Sequence, residues 1–194
     1  MSEREKIDPR VKRTRQLLQN AMMELVREKP VESVTVQDIA ERAEVNRATF
    51  YAHFEDKNAL LNYMVREMYQ TRLDQKLPPE PRLSSENLRL LILTTCEYIG
   101  GFMNHCAPTR RSSEQAMIFV QVQTYLYETL LNWMPEGDKD ERETTAVSLS
   151  WAIWGAAFQW AQENRKITPV QLTDQLLALA QSGLQTYFSD EVRA

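Results

Sequence analysis

The stretch TVQDIAERAEVNRATFYAHFEDK, Thr35 to Lys57, constrains the fold of this chain more than any other. Ile39, Ala40 and Ala43 mark the inner side of a short helix. Thr35 stands at its N-cap with Asp38 three residues on, a Thr-x-x-acid pattern that satisfies free amides at a helix start. Glu44 and Val45 make a turn. Asn46 then caps a second helix in which Phe50 and Phe54, four residues apart, share one face and must point inward. Arg47, Ala48 and Tyr51 are left on the outside, at that helix's N-terminal end. A guanidinium, a small side chain and a phenol offered from the first turns fit the recognition helix of a helix-turn-helix, whose N-terminal side chains reach base edges.

The flanking sequence completes a small helical head. From Arg10 to Lys29, Leu17, Leu18, Ala21, Met22, Leu25 and Val26 recur at helical spacing, and Pro30 ends that helix. Asp56 caps a fourth helix running to about Leu73, with Leu60, Leu61, Met64 and Met68 inward. Lys57, its first residue, combines an ammonium with free backbone amides and the positive end of the helix dipole, a ready phosphate site. Three prolines in the four residues from Pro78 to Pro81 are the clearest break in composition and read as the linker between head and body. Four longer helices follow, at about Ser85 to Asn104, Ser112 to Trp133, Glu141 to Asn164 and Thr168 to Tyr187, the last opened by Pro169. The expected fold is all-α: a three-helix helix-turn-helix head joined by a fourth helix to a larger helical body for effector binding and dimerisation. The expected boundaries are 1–55 for the arm and head, 56–76 for the connecting helix and 77–194 for the body.

Composition agrees with a folded helical protein. Among 194 residues, 43% are hydrophobic and 26% charged, with 5 Gly and 8 Pro. The net charge of −4 is unevenly shared: residues 1–76 hold 14 basic against 13 acidic side chains, and residues 77–194 hold 9 against 14. The head, whose first 15 residues hold six bases (Arg4, Lys6, Arg10, Lys12, Arg13, Arg15) against three acids (Glu3, Glu5, Asp8), is therefore the half suited to a phosphate backbone. No apolar run is long enough to cross a membrane and the charged N-terminus is no signal peptide, so the expected location is the cytoplasm. Cys96 and Cys106 are ten positions apart on one expected helix, about 15 Å, too far for a disulfide or a shared metal.

The pattern Thr35-Val36-x-x-Ile39-Ala40, then Val45-Asn46-Arg47-x-Thr49-Phe50-Tyr51-x-His53-Phe54-x-x-Lys57, resembles the DNA-binding domain of the TetR family of bacterial one-component transcription regulators. The resemblance runs unbroken over roughly residues 10 to 60 and is far more specific than a short motif. One departure is Glu44, where many members have Gly in the turn; a positive φ there would cost about 1 kcal/mol relative to Gly. The resemblance implies that Thr35, Thr49, Tyr51, His53 and Lys57 sit where phosphates are mostly contacted, which sets register without choosing sequence, Tyr51 being suited to either job. It also implies that the fourth helix carries effector-induced motion, that the last two helices pair with their copies in a dimer, and that repression is the commonest mode.

From chemistry, Arg47 is the first candidate to read a base, because its planar fork matches guanine O6 and N7; Ala48 suits a thymine methyl, and Asn46 caps the reading helix. The last two helices hold more apolar surface than one small body needs. Trp151, Ala157, Leu176, Ala180, Gly183, Leu184 and Tyr187 are the candidate dimer contacts. Phe102, Met103, Met117, Phe119, Tyr125, Trp133 and Trp154 are apolar and aromatic enough to line a pocket for a small-molecule effector. No phosphate loop, Ser-x-x-Lys or His-Glu-x-x-His is present and only two histidines exist, so no enzyme, cofactor or metal is expected. The expected function is a sequence-specific regulator, double-stranded DNA and a second copy being its partners, released from a palindromic operator by an effector. The alternative is a DNA-bound adaptor or structural protein without one.

Overall fold

A computed structural model of the chain describes residues 8–105, 113–163 and 167–184; the side chains of 102–105, 113–119 and 183 lie outside that description. The described residues form eight α-helices and no strand. They divide between Met64 and Val65 into two compact units, each with its own core.

The first unit begins with α1 (Pro9–Glu28), where Asp8 accepts the Arg10 N–H at 2.8 Å and proline occupies the first turn, the position at which its missing N–H matters least. A 3₁₀ turn (Val31–Ser33) leads to α2 (Val36–Arg42), α3 (Arg47–Tyr51) and the start of α4 (Lys57–Asp74). Leu18, Ala21, Met22 and Leu25 are the buried stripe of α1; Leu17, expected on it, is 40% exposed. They close on Ile39, Phe50 and Leu60, all fully buried, and on Val34, Ala43, Phe54 and Met64. Arg42 fixes α2 to α1 through a bidentate pair with Glu28 at 2.8 Å and a contact to Glu24 at 3.2 Å. That hydrogen-bonded guanidinium holds the Glu28 carboxyl below its usual range.

In the second unit the rest of α4 joins α5 (Ser85–His105), α6 (Ser113–Trp133), α7 (Lys139–Glu163) and α8 (Pro169–Gly183). Helix α7 packs on both α5 and α6, and α8 packs on α5. Gly100 makes the α5–α7 approach possible, since a Cβ there would lie 2.8 Å from the Trp160 ring. Helix α8 opens with a reciprocal cap: Gln171 N–H donates to Thr168 Oγ1 at 3.2 Å, and Thr168 N–H to Gln171 Oε1 at 2.8 Å.

Two expectations change here. Helix α4 has no single inward stripe: Leu60 and Met64 enter the first core, Val65, Tyr69 and Leu73 the second, and Met68 is 42% exposed. The proline stretch is not the junction between units. It falls inside the second unit, where Leu77 packs on the core and the buried Leu83 donates its N–H to the Trp133 carbonyl at 3.0 Å. Proline breaks helical hydrogen bonding wherever it stands, so composition alone does not separate an intra-unit loop from a boundary.

Candidate functional site

The turn between α2 and α3 is built by backbone geometry. Val45 N–H donates to Ala40 O at 2.9 Å and Glu44 N–H to Glu41 O at 3.1 Å, the paired bonds of a Schellman ending. Glu44 sits at φ 54, the left-handed conformation, and among the described residues no other non-glycine does so. The chain therefore tolerates a side chain where glycine would be unstrained, at about 1 kcal/mol.

On either side of this turn the polar side chains are tied to the helix starts. Thr35 accepts the Asp38 N–H at 3.1 Å and donates its hydroxyl to Asp38 Oδ2 at 2.7 Å, while Asp38 accepts the Thr35 N–H at 2.8 Å. The Lys29 ammonium lies 2.8 Å from the same carboxylate, and with these hydrogen bonds it holds Asp38 far below the usual carboxylate range. Asn46 Oδ1 accepts both the Thr49 N–H at 2.7 Å and the Thr49 hydroxyl at 2.9 Å. Lys57 reaches back across the head, its ammonium donating to the carbonyls of Val31 at 3.0 Å and Glu32 at 2.9 Å.

Of the residues expected to meet DNA, Thr35, Asn46, Thr49 and Lys57 are thus engaged inside the head. The hydroxyls of Thr35 and Thr49 each donate their one proton internally. Arg47, Ala48 and Tyr51 remain exposed on the outer side of α3, and Phe50 between them is fully buried. Arg47 Nη2 donates to Tyr51 Oη at 3.4 Å, and its guanidinium lies 5.9 Å from the tyrosine ring centre. His53 is half-buried; burial first, and then the nearby charge of Arg15, lower its pKa from 6.5. Arg15 itself lies 5.8 Å from the Phe54 ring and 5.2 Å from the Tyr63 ring. Nothing in the sequence pattern linked that arginine to those rings, because the contacts join α1 to residues 39 and 48 positions on.

In the second unit the expected dimer contacts divide. Trp151 is 50% exposed, whereas Ala157, Leu176, Ala180 and Leu184 are buried in the protomer's own core. Helix α7 carries two apolar rows one residue apart. Ala146, Ser150, Ile153 and Ala157 face the core, while Val147, Trp151, Trp154 and Phe158 form a second row, exposed or part-buried. In that row Trp151 meets Trp154 edge-on at 5.5 Å and Trp154 stacks on Phe158 at 5.0 Å. Val147 and, on α8, the 66% exposed Leu179 are further outward apolar positions. Both rows have the same 4-3-4 spacing, so spacing alone does not tell the outward row from the core row.

The effector candidates divide too. Trp133 is buried in the core, Tyr125 packs edge-on against Tyr69 at 5.4 Å beneath the Arg66 guanidinium, and Trp154 belongs to the α7 row. The side chains of Phe102, Met103, Met117 and Phe119 lie outside the described residues, as do Tyr187, the side-chain position at Gly183, and Cys106. Cys96 is a buried free thiol, pushed up to about 12 by burial. Among the described residues no group of three or more His, Cys, Asp or Glu is placed to hold a metal, and no helix is long and apolar enough to cross a membrane.

Comparison with known proteins singles out the same region. Residues 18–64 match the family described as bacterial regulatory proteins, tetR family. Over 68 residues the chain is 43% identical to the uncharacterized HTH-type transcriptional regulator YxbF of Bacillus subtilis (strain 168), covering 33% of this chain and 18% of that protein. Over 60 residues it is 37% identical to the tetracycline repressor protein class G of Vibrio anguillarum, covering 31% and 29%. The chain thus spans less than a third of the length of the curated relatives it matches. In fold, a tetR-family transcriptional regulator from Streptomyces coelicolor aligns over 92% of this chain and 83% of that one with a TM-score of 0.54 at 17% identity, so the likeness there is of architecture. The match over residues 18–64 gives the chain a head similar to that of the bacterial regulatory proteins of the tetR family, on an all-helical architecture similar to that of a solved member.

Proposed function

We propose that this chain is a sequence-specific DNA-binding transcription regulator, acting in the cytoplasm as a homodimer on a palindromic operator. One observation carries the reading. Once the polar side chains around the α2–α3 turn have satisfied the helix starts, Arg47, Ala48 and Tyr51 are what α3 presents outward. An arginine fork, a methyl-sized side chain and a phenol on one helix face are groups that read base edges in the major groove. A second copy would cover the exposed Val147, Trp151 and Leu179 and the uncovered edges of the part-buried Trp154 and Phe158, since apolar surface of this kind gains most from burial. Two heads would then meet half-sites roughly 34 to 36 Å apart, or a multiple of that.

Regulation follows the commonest mode of the family: the apo dimer represses, and a small apolar or weakly polar effector bound in the body favours a state that no longer fits both half-sites. Such a ligand must bind the two states with different affinity, or it shifts nothing. The test is selection of bound duplexes from a random DNA pool at near-physiological salt. An enriched inverted repeat with half-sites one helical turn apart is the expected result; no enrichment by a folded sample would overturn the reading.

A further inference from the structure

We propose that Tyr51 is a positioning residue for Arg47: its ring and hydroxyl hold the guanidinium in the orientation in which α3 presents it, so that base preference depends on the pair. The inference rests on the DNA-binding reading above and assigns Tyr51 a role other than phosphate contact. Two contacts fall on the same guanidinium, the 3.4 Å hydrogen bond from Nη2 to Tyr51 Oη and the approach of the guanidinium to within 5.9 Å of the ring centre. The i, i+4 spacing places the two side chains side by side on α3.

Tyr51 is itself anchored. Its ring meets Phe50 edge-on, 5.6 Å between centres at 86°, and Phe50 is fully buried in the core of the head. Core, tyrosine ring and guanidinium thus form a continuous support for a long side chain that is otherwise rich in rotamers. Next to Arg47 in sequence, Asn46 is engaged elsewhere, its Oδ1 accepting two hydrogen bonds from Thr49. The pairing also leaves the reading chemistry intact. A guanidinium has five N–H groups and one is directed to Tyr51, so two parallel donors remain for guanine O6 and N7. Holding the fork in place before DNA arrives lowers the ordering that binding must impose.

A phosphate contact by Tyr51 would act on every duplex alike, whereas positioning of Arg47 acts on one base pair per half-site. The test compares wild-type protein with Tyr51→Phe, Tyr51→Leu, Arg47→Ala and the Arg47→Ala/Tyr51→Leu double variant. Binding is measured to the selected inverted repeat and to its single-base variants. Tyr51→Leu is expected to lower preference at the Arg47-dependent base by about tenfold, and Tyr51→Phe, which keeps the ring, by about fivefold. Neither alters preference at other positions, and Tyr51→Leu adds nothing there once Arg47 is gone. In the free protein, the Arg47 Nε–H resonance is expected to be ring-shifted and to move to its random-coil position in Tyr51→Leu. Uniform loss across duplexes, additivity in the double variant, or an Nε–H resonance indifferent to Tyr51 would each overturn the proposal. Preference that survives Arg47→Ala would instead overturn the assignment of α3 as the reader, and this inference with it.

Discussion

Around the helix starts of the first unit, polar side chains bond within a few residues: Asp8 with the Arg10 amide, Thr35 with Asp38, Asn46 with Thr49, Asp56 with the Ala59 amide at 2.7 Å. In the second unit the buried or part-buried polar groups join helices far apart in sequence. Tyr69 meets Thr95 hydroxyl to hydroxyl at 2.6 Å, Gln123 donates to Ser150 Oγ at 3.0 Å, and Arg66 pairs with Glu128 across 62 positions. The difference teaches where function can be read. Local pairing ties Thr35, Asn46 and Thr49 to the helix starts, while Arg47 and Tyr51, paired with each other, stay exposed with Ala48 on the outer side of α3. Distant pairing offers no such subtraction from sequence.

The contrast breaks most visibly at the cores. Phe50→Ala should lower the stability of the head by about 3–5 kcal/mol. Hydrogen exchange should then rise in α1 to α3 more than in α5 to α8, and equal acceleration in both units would merge what the two cores separate. Next in size is the dimer. Trp151→Glu places a charge in the second α7 row and should weaken self-association at least 30-fold, about 2 kcal/mol, with little change in melting. Leu176→Ala should do the reverse, lowering the melting temperature through a core cavity while leaving sedimentation dimeric. A monomeric Leu176→Ala protein would return the interface to the residues now placed in the core.

Much of the head was legible because its signals are short-range. The Thr35 and Asn46 caps, the inward Phe50 and Phe54 and the strain at Glu44 all depend on residues within a few positions of each other. Lys57 was not. The dipole argument offers its ammonium to a phosphate, and no local signal announces the hydrogen bonds it donates to the carbonyls of Val31 and Glu32, set by tertiary packing over 25 positions or more. In the body, helix ends at Ser85, Trp133 and Thr168 were readable from caps and prolines. The faces of α7 and α8 were not: with two adjacent apolar rows there is no polar contrast to say which row meets the core.

Smaller effects sharpen the head's side of the comparison. Asn46→Ala removes the α3 cap and should cost about 1 kcal/mol by denaturant titration. A pH effect follows from His53. Its folded pKa is depressed, so the unfolded chain binds the proton more readily, and the stability it contributes is present above about pH 6.5 and lost as pH falls through the folded value. Denaturation midpoints for wild type and His53→Gln should therefore converge as pH drops from 7.5 to 5.5. A difference that stays constant with pH would remove His53 from the account.

The most direct test of the central claim compares Arg47→Ala with Lys57→Met on the selected operator and its single-base variants. Arg47→Ala is predicted to lose about tenfold or more in preference at one base position per half-site, with affinity for unrelated duplexes little changed. Lys57→Met is predicted to keep the preference and to lower the stability of the head, because its ammonium ties down the turn after α1. Equal loss of preference in the two variants would contradict the division between side chains that build the head and side chains that read DNA.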